Sequence, residues 1–217
     1  MAHPSLHSEE RPIDPAGLSD NELMTRLKEA PPAELAAGFE VLVQRYKNAI
    51  VSFLFRFVGD PRTAEDLAQE AFLRVFRKIA DYNSTAKFST WLYTIASNLA
   101  KDEFKRRSRH PAGSLDWEST RGADTTRNVP TAMAADDPGP EEDLELGETR
   151  ERVATALKRL KEDDREILVL KDVQGLAYEE IAHILDLPMG TVKSRISRAR
   201  LAFKDAWKRM GSSGGLP

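Results

Sequence analysis

A helix, a tight corner and a longer basic helix are written into Leu176–Met210, LAYEEIAHILDLPMGTVKSRISRARLAFKDAWKRM. Ile181, Ile184 and Leu185 fall at helical spacing, and Glu179 and Glu180 occupy the first turn, where the helix dipole favours acids. Asp186-Leu187-Pro188-Met189-Gly190 interrupts the period. Pro188 cannot continue a helix, and Gly190 is expected to take the backbone angles that the corner needs. A helix restarting at Thr191 carries Lys193, Arg195, Arg198, Arg200, Lys204, Lys208 and Arg209 against one acid, Asp205. Two helices at a steep angle, the second dense in cations, make the helix-turn-helix arrangement that lays a recognition helix in a DNA major groove. The competing reading, a solvated charged helix, is disfavoured because the charge begins where base-reading side chains sit.

The 217 residues allow one large or two small domains. No apolar run approaches bilayer length and the N-terminus lacks a basic-then-apolar signal pattern, so no membrane insertion is expected. The absence of cysteine excludes disulfides, thiolate metal sites and a thiol switch within the chain, and fits a cytoplasmic location. A net charge of −3 taken whole argues against a nucleic-acid binder. Its distribution argues the other way.

Residues 1–18, with Pro4, Pro12 and Pro15, read as a disordered tail. Ser19 and Glu22 form a capping box for a helix to about Ala30, and Pro31-Pro32 precedes a long apolar-rich helix, Ala33–Val58. Gly59 ends it, while Asp60 as cap and Pro61 at the first position start a third helix from Arg62 to about Ala80. After a polar loop, Asp81–Lys87, comes a fourth helix, Ser89–Arg107. From Ala112 to Thr149 ten acids face only Arg121 and Arg127, a net −8 among Gly, Pro, Ser and Thr. Self-repulsion extends such a segment. Helical periodicity returns near Glu141, and 211–217 is a flexible end. The fold class is therefore all-α: two small helical domains, 19–111 and 141–210, joined by a flexible acidic linker, 112–140.

Two further surfaces stand out. On the third helix Ala64, Leu67, Ala68, Ala71, Phe72, Val75, Phe76 and Ile79 form the core stripe, while Asp66, Gln69, Glu70 and Leu73 share another side. That side reads equally as an ordinary wet face with one leucine or as a docking surface for a protein. On the fourth helix Trp91, Leu92, Ile95 and Leu99 point to the core, and Thr94, Asn98, Lys101 and Lys105 line another face. The helix ends in Lys105-Arg106-Arg107-Ser108-Arg109, and 101–109 carries +3. Phe88 stands before the helix in a polar loop with no core to require it, the better candidate over Trp91 for stacking single-stranded bases.

The blocks DLAQEAFLRVFRKI, FSTWLYTIASNLAKDEFKRR and LAYEEIAHILDLPMGTVKSRISRAR, in this order and separation, resemble those of bacterial sigma factors. The group resembled is the two-domain extracytoplasmic-function class of the sigma-70 family, with region 2 over about 20–110 and region 4 over 141–210. The resemblance implies a transcription initiation factor, not an enzyme. It implies binding to core RNA polymerase, recognition of −35 and −10 promoter elements, and DNA melting. Asp66, Gln69, Glu70 and Leu73 match the block that grips the polymerase clamp helices, which decides between the two readings of that face in favour of docking. Phe88 and Asn98 match positions that pocket a flipped base of the single-stranded non-template −10 element, with Lys101, Lys105 and Trp91 beside them. Lys193, Ser194, Ser197 and Arg198 match positions facing the double-stranded −35 element, and Arg195 and Arg200 suit phosphate or packing contacts. An anti-sigma protein is an expected partner, and no catalytic residue, metal or cofactor is expected. Ala177 stands where the family usually has a capping Ser or Thr, leaving Glu180 to reach back.

A stand-alone helix-turn-helix repressor would leave the first module unexplained and needs a dimer for two half-sites. A nucleic-acid enzyme finds no support in the scattered His3, His7, His110 and His183 or in any Gly-rich phosphate loop.

Overall fold

The computed structural model describes residues 15–109 and 140–212, with backbone only for 140–148 and 211–212. Of the expected linker, 112–140, residues 112–139 lie outside the described residues, as do residues 1–14 of the expected tail and 213–217; the end of that tail is ordered as a 3₁₀ turn, Pro15–Gly17, where the Ala16 carbonyl accepts from Arg45. The described residues contain eight α-helices and no strand. They are α1 Asp20–Leu27, α2 Pro32–Val58, α3 Pro61–Arg77, α4 Phe88–Arg109, α5 Pro140–Lys158, α6 Glu162–Leu168, α7 Tyr178–Leu185 and α8 Met189–Ser212.

Local chemistry sets most of these boundaries. Ser19 and Glu22 close the full capping box on α1. Gly59 ends α2 at φ 81°, its N–H donating to the Phe55 carbonyl at 2.8 Å. One residue later Asp60 caps α3 by accepting from the Thr63 N–H at 2.8 Å, with Pro61 at the first position. Gly38 is buried where α1 crosses α2: a Cβ there would come within 2.6 Å of a Leu27 methyl and 3.3 Å of a Leu23 methyl, so a larger residue would force the Leu27 side chain to shift. Helix α3 stops at Arg77, short of the expected Ala80, and a 3₁₀ turn, Ile79–Asp81, carries the chain onward.

The corner of the helix-turn-helix is built differently from the expectation. Gly190 lies inside the first turn of α8, and the left-handed residue is Asp186, at φ 51°. The Leu187 N–H donates to the Ala182 carbonyl at 2.9 Å and the Asp186 N–H to the His183 carbonyl at 3.4 Å, a Schellman motif with aspartate in the glycine position. Aspartate is among the few residues with a side chain that enter this region readily. At the start of α7 the Glu180 carboxylate accepts from the Ala177 N–H at 2.8 Å, half of a capping box without the missing hydroxyl.

One continuous core runs through both modules. Phe53, Phe57, Leu92 and Tyr93 from α2 and α4 join Ile167, Leu168, Val169 and Leu170 around α6 in a single buried cluster. A π-helical turn, Val169–Val173, follows α6. At the junction the Arg165 guanidinium is buried and donates to the carbonyls of Leu157, Lys158 and Leu160 and to Phe57 of α2, at 2.8–3.2 Å. Losing it leaves several buried carbonyls without donors, so Arg165→Ala is expected to cost about 3 kcal/mol in urea unfolding followed by circular dichroism. Arg165→Lys should recover only part, because an ammonium cannot reproduce the fork of donors.

Candidate nucleic-acid and polymerase interface

Helix α8 divides into two faces. Val192, Ile196 and Ala199 are buried at helical spacing and fix the helix against α6 and α7. Lys193, Ser194, Ser197 and Arg198 are all exposed on the outer side. Ser194 Oγ donates to the Thr191 carbonyl at 3.0 Å. No ion pair among the described residues engages Lys193 or Arg198. Arg195 is half-buried with its guanidinium 3.4 Å from Asp163, and Arg200 makes a two-pronged pair with Asp172 at 2.6 and 3.1 Å. Asp172 holds the Arg200 guanidinium above its ordinary pKa. These two arginines thus have intramolecular partners, in keeping with the packing role weighed for them.

On α3 Asp66 and Gln69 are exposed and Glu70 is half-exposed, paired with Arg74 at 2.8 Å. The Arg74 guanidinium holds the Glu70 carboxyl below the usual carboxylate range. Leu73 is 41% exposed and Phe76 40% exposed, the latter edge-on to Phe39 at 5.1 Å. Phe76 was expected in the core stripe. It lies instead at the border of that stripe, three residues along from Leu73, and widens the apolar part of the outer face.

Helix α4 corrects the sequence reading of Phe88. It is the first residue of α4 and fully buried, not a loop residue free of the core. Its ring packs edge-on against Tyr46 at 5.3 Å and Tyr82 at 6.5 Å, and its N–H donates to Asn21 Oδ1 at 2.9 Å. Polar neighbours in sequence concealed a pocket supplied by α1 and α2. Trp91 is half-buried, its ring 5.4 Å from Tyr82. Trp91, Asn98 and Lys105 recur every seven residues, so they share one side of the helix, and Asn98 and Lys105 are exposed. Next to Tyr82 lies an open depression of 330 Å³ lined by Thr25, Lys28, Asp81, Tyr82, Asn83 and Ser84.

Lys101 belongs to another neighbourhood. Its ammonium lies 3.1 Å from Glu166, whose carboxylate also accepts from the Ser97 hydroxyl. Burial pushes the Glu166 carboxyl up, against the pull of Lys101 and Ser97. Sequence reasoning missed Arg165 and Glu166 altogether. The available signal was two charges of opposite sign immediately before the apolar run Ile167–Leu170.

The Sigma-70 region 2 family model matches residues 42–110, and the Sigma-70, region 4 model matches 150–203. RNA polymerase sigma-H factor of Pseudomonas aeruginosa is 36% identical over 78% of this chain and 86% of its own length. The ECF RNA polymerase sigma-E factor of Escherichia coli K12 is 36% identical, covering 85% of this chain and 92% of that protein. This chain is an extracytoplasmic-function sigma factor of the sigma-70 family. Bacillus subtilis SigW is 35% identical over 82% of the chain and 93% of its own length. Among solved structures, the sigma factor RpoE in complex with the anti-sigma factor NepR from Bartonella quintana matches with a TM-score of 0.58 at 25% identity. That match covers 78% of this chain and 96% of that one. CnrH in complex with the cytosolic domain of CnrY shares the fold, with a TM-score of 0.60 at 23% identity, over 88% and 97%. As a sigma factor the protein directs RNA polymerase to promoters. No helix among the described residues is long and apolar enough to cross a membrane.

The relocation of Phe88 is testable. Phe88→Ala is expected to destabilise the protein by about 3–5 kcal/mol, as for a core aromatic, in denaturant unfolding. A loss below about 0.5 kcal/mol, typical of a surface site, would contradict the packing.

Proposed function

We propose that this sigma factor docks on core polymerase through the outer face of α3, reads the −35 element with α8 and captures an unpaired −10 base beside α4. The observation that carries this reading is the division of α8. Its buried residues orient the helix, Arg195 and Arg200 are paired with Asp163 and Asp172, and Lys193, Ser194, Ser197 and Arg198 lie outward without an ion pair to an acid among the described residues. Those four are the base-edge candidates, and Arg195 and Arg200 serve packing or phosphate contacts at the rim.

On α3, Asp66, Gln69, Glu70 and Leu73 form the polymerase-facing set, with Phe76 adding apolar area. An apolar centre ringed by acids and an amide suits a basic, partly apolar helical partner. On α4, Asn98 offers donor and acceptors to a base edge no longer paired, and Lys105 and Lys101 meet phosphates. Since Phe88 is internal, it packs against Tyr82, which in turn packs against Trp91, and the depression beside Tyr82 gives an extruded base room. Extraction must precede capture, so these groups act in opening the DNA. The complex of RpoE with NepR supports an anti-sigma protein as a further partner of this chain.

Docking is tested by charge reversal on a face that lies outside the core. Gln69→Lys combined with Glu70→Lys should abolish co-purification with core polymerase and run-off transcription. Helical circular dichroism should persist, since the Glu70–Arg74 pair it removes is solvent-screened and lies outside the core. Normal association of that variant would refute the assignment.

A separate test addresses the −35 contact. Base-edge contacts discriminate by about 1–3 kcal/mol, whereas phosphate contacts weaken all sequences alike. Arg198→Ala is expected to relax preference at one or two −35 positions in a panel of promoter variants. Lys204→Ala, exposed further along α8, should weaken all of them evenly.

A further inference from the structure

Helix α4 starts without a cap of its own. Its first residue is Phe88, and the first N–H groups of a helix have no partner inside it. Lys87, the residue before it, carries only donors in its side chain and cannot accept from them. The acceptor comes from α1, 67 positions away: the Phe88 N–H donates to Asn21 Oδ1 at 2.9 Å. The Tyr82 hydroxyl donates to the same oxygen at 2.9 Å and lies 3.0 Å from the Ala86 carbonyl. One side-chain atom thus ties both ends of the segment 82–88.

The rest of that side of α1 faces the same segment. Lys28 Nζ donates to the Tyr82 carbonyl at 3.0 Å, and Thr25 lies between Asn21 and Lys28 at helical spacing. The depression beside Tyr82 has one wall from Thr25 and Lys28 and the other from residues 81–84. Asn83, Ser84 and Thr85 are exposed, so burial does little to order the loop and its tied ends decide its shape. Helix α1 is a firm support for those ties, because Asp20 accepts from Arg45 of α2 at 2.7 Å and from the Tyr46 hydroxyl. We propose that Asn21 is a positioning residue for promoter opening: by capping α4 and holding Tyr82 with one oxygen, it sets the width of the pocket for an unpaired −10 base and so which base is accepted. The proposal rests on the reading of α4 as the helix beside which that base is captured. A pocket ordered before the base arrives spares the complex the cost of ordering the loop.

Both ties use Asn21 Oδ1 as an acceptor, which makes the role separable from side-chain shape. Asn21→Asp keeps the acceptor and puts an acid in the first turn of α1, where the helix dipole favours it. Asn21→Leu keeps the approximate shape and leaves two donors unpaired. Full-length variants are assembled with core polymerase and bound to single-stranded non-template oligonucleotides carrying each base at each −10 position. Asn21→Leu should lower discrimination between the preferred base and the others by about tenfold, with polymerase association and −35 preference retained. Asn21→Asp should discriminate like the unaltered chain. In the free protein the Phe88 amide should exchange with deuterium about tenfold faster in Asn21→Leu than in Asn21→Asp. Full discrimination in Asn21→Leu would overturn the positioning role, as would an equal loss in both variants. If Asn21→Leu loses helical circular dichroism, Tyr82→Phe decides, since it removes one donor and keeps the ring; unchanged discrimination there would overturn the role. An unaltered holoenzyme that binds all the oligonucleotides alike would overturn the capture reading and the positioning role with it. Discrimination abolished by Asn98→Ala but untouched by Asn21→Leu would leave capture standing and remove the positioning role alone.

Discussion

The packing of the C-terminal module depends on the Arg165 guanidinium. Helix α5 ends at Lys158 and α6 begins at Glu162, so the last carbonyls of α5 lack the full set of i+4 partners; the Leu160 N–H reaches the Leu157 carbonyl at 3.1 Å, and the rest need donors from elsewhere. Arg165 donates to two of them, Leu157 and Lys158, to the Leu160 carbonyl in the turn that follows, and to the Phe57 carbonyl near the end of α2. A cation also suits the negative ends of two helices at once. The Phe104 ring lies 5.7 Å from the guanidinium and closes the site from the α4 side. Arginine fits because its planar fork offers five donors and stays charged when buried, even though burial pulls its pKa below the ordinary value. The next residue, Glu166, points to α4. One dipeptide therefore joins α6 to α2 through backbone carbonyls and to α4 through side chains.

Where the determinants are local, the sequence was a sufficient guide. Ser19 with Glu22, Gly59, and Asp60 with Pro61 act within four residues of themselves, and each does what its chemistry implies. The outward set on α8 was legible for the same reason, since Val192, Ile196 and Ala199 alternate with it at helical spacing. Phe88 was misread because its surroundings come from elsewhere: Asn21, Tyr46 and Tyr82 are distant or separated by a loop. The Glu166 contact joins residues 69 positions apart, and no periodicity specifies such a partner. The corner was misassigned between two legitimate candidates. Glycine is the commoner left-handed residue, but Asp186 sits at the C′ position that the Schellman hydrogen bonds demand, and Gly190 comes too late.

Phe76 and Leu73 illustrate a boundary effect that a stripe read from sequence handles poorly. A helix packed on one neighbour buries a stripe whose edges depend on how far that neighbour extends. Phe39 of α2 covers one edge of the Phe76 ring and leaves 40% of the residue exposed. The same residue can then contribute to the intramolecular core and to a protein-facing surface, which lowers the conformational cost of presenting an apolar group to a partner.

The distribution of acids explains how a chain of net charge −3 presents basic surfaces. Acids are spent locally: Asp163 on Arg195, Asp172 on Arg200, Glu103 on Arg106 and Arg107, Glu166 on Lys101. The exposed pairs, Asp163–Arg195 and Asp172–Arg200, are screened by solvent and add little stability. Their larger effect is on the field. Each neutralised arginine removes one cation from the non-specific attraction to phosphates, which grows with the number of phosphates contacted. In the first turns of α8 the outward set is Lys193 and Arg198 with the hydroxyls of Ser194 and Ser197, a short set suited to base edges, and Lys204 stands exposed further along. Reducing the phosphate contribution while leaving the base-reading groups intact lowers affinity for arbitrary DNA more than it lowers discrimination. A chain so arranged depends on a partner to supply the rest of the binding energy, and the outer face of α3 offers the surface through which that partner is held.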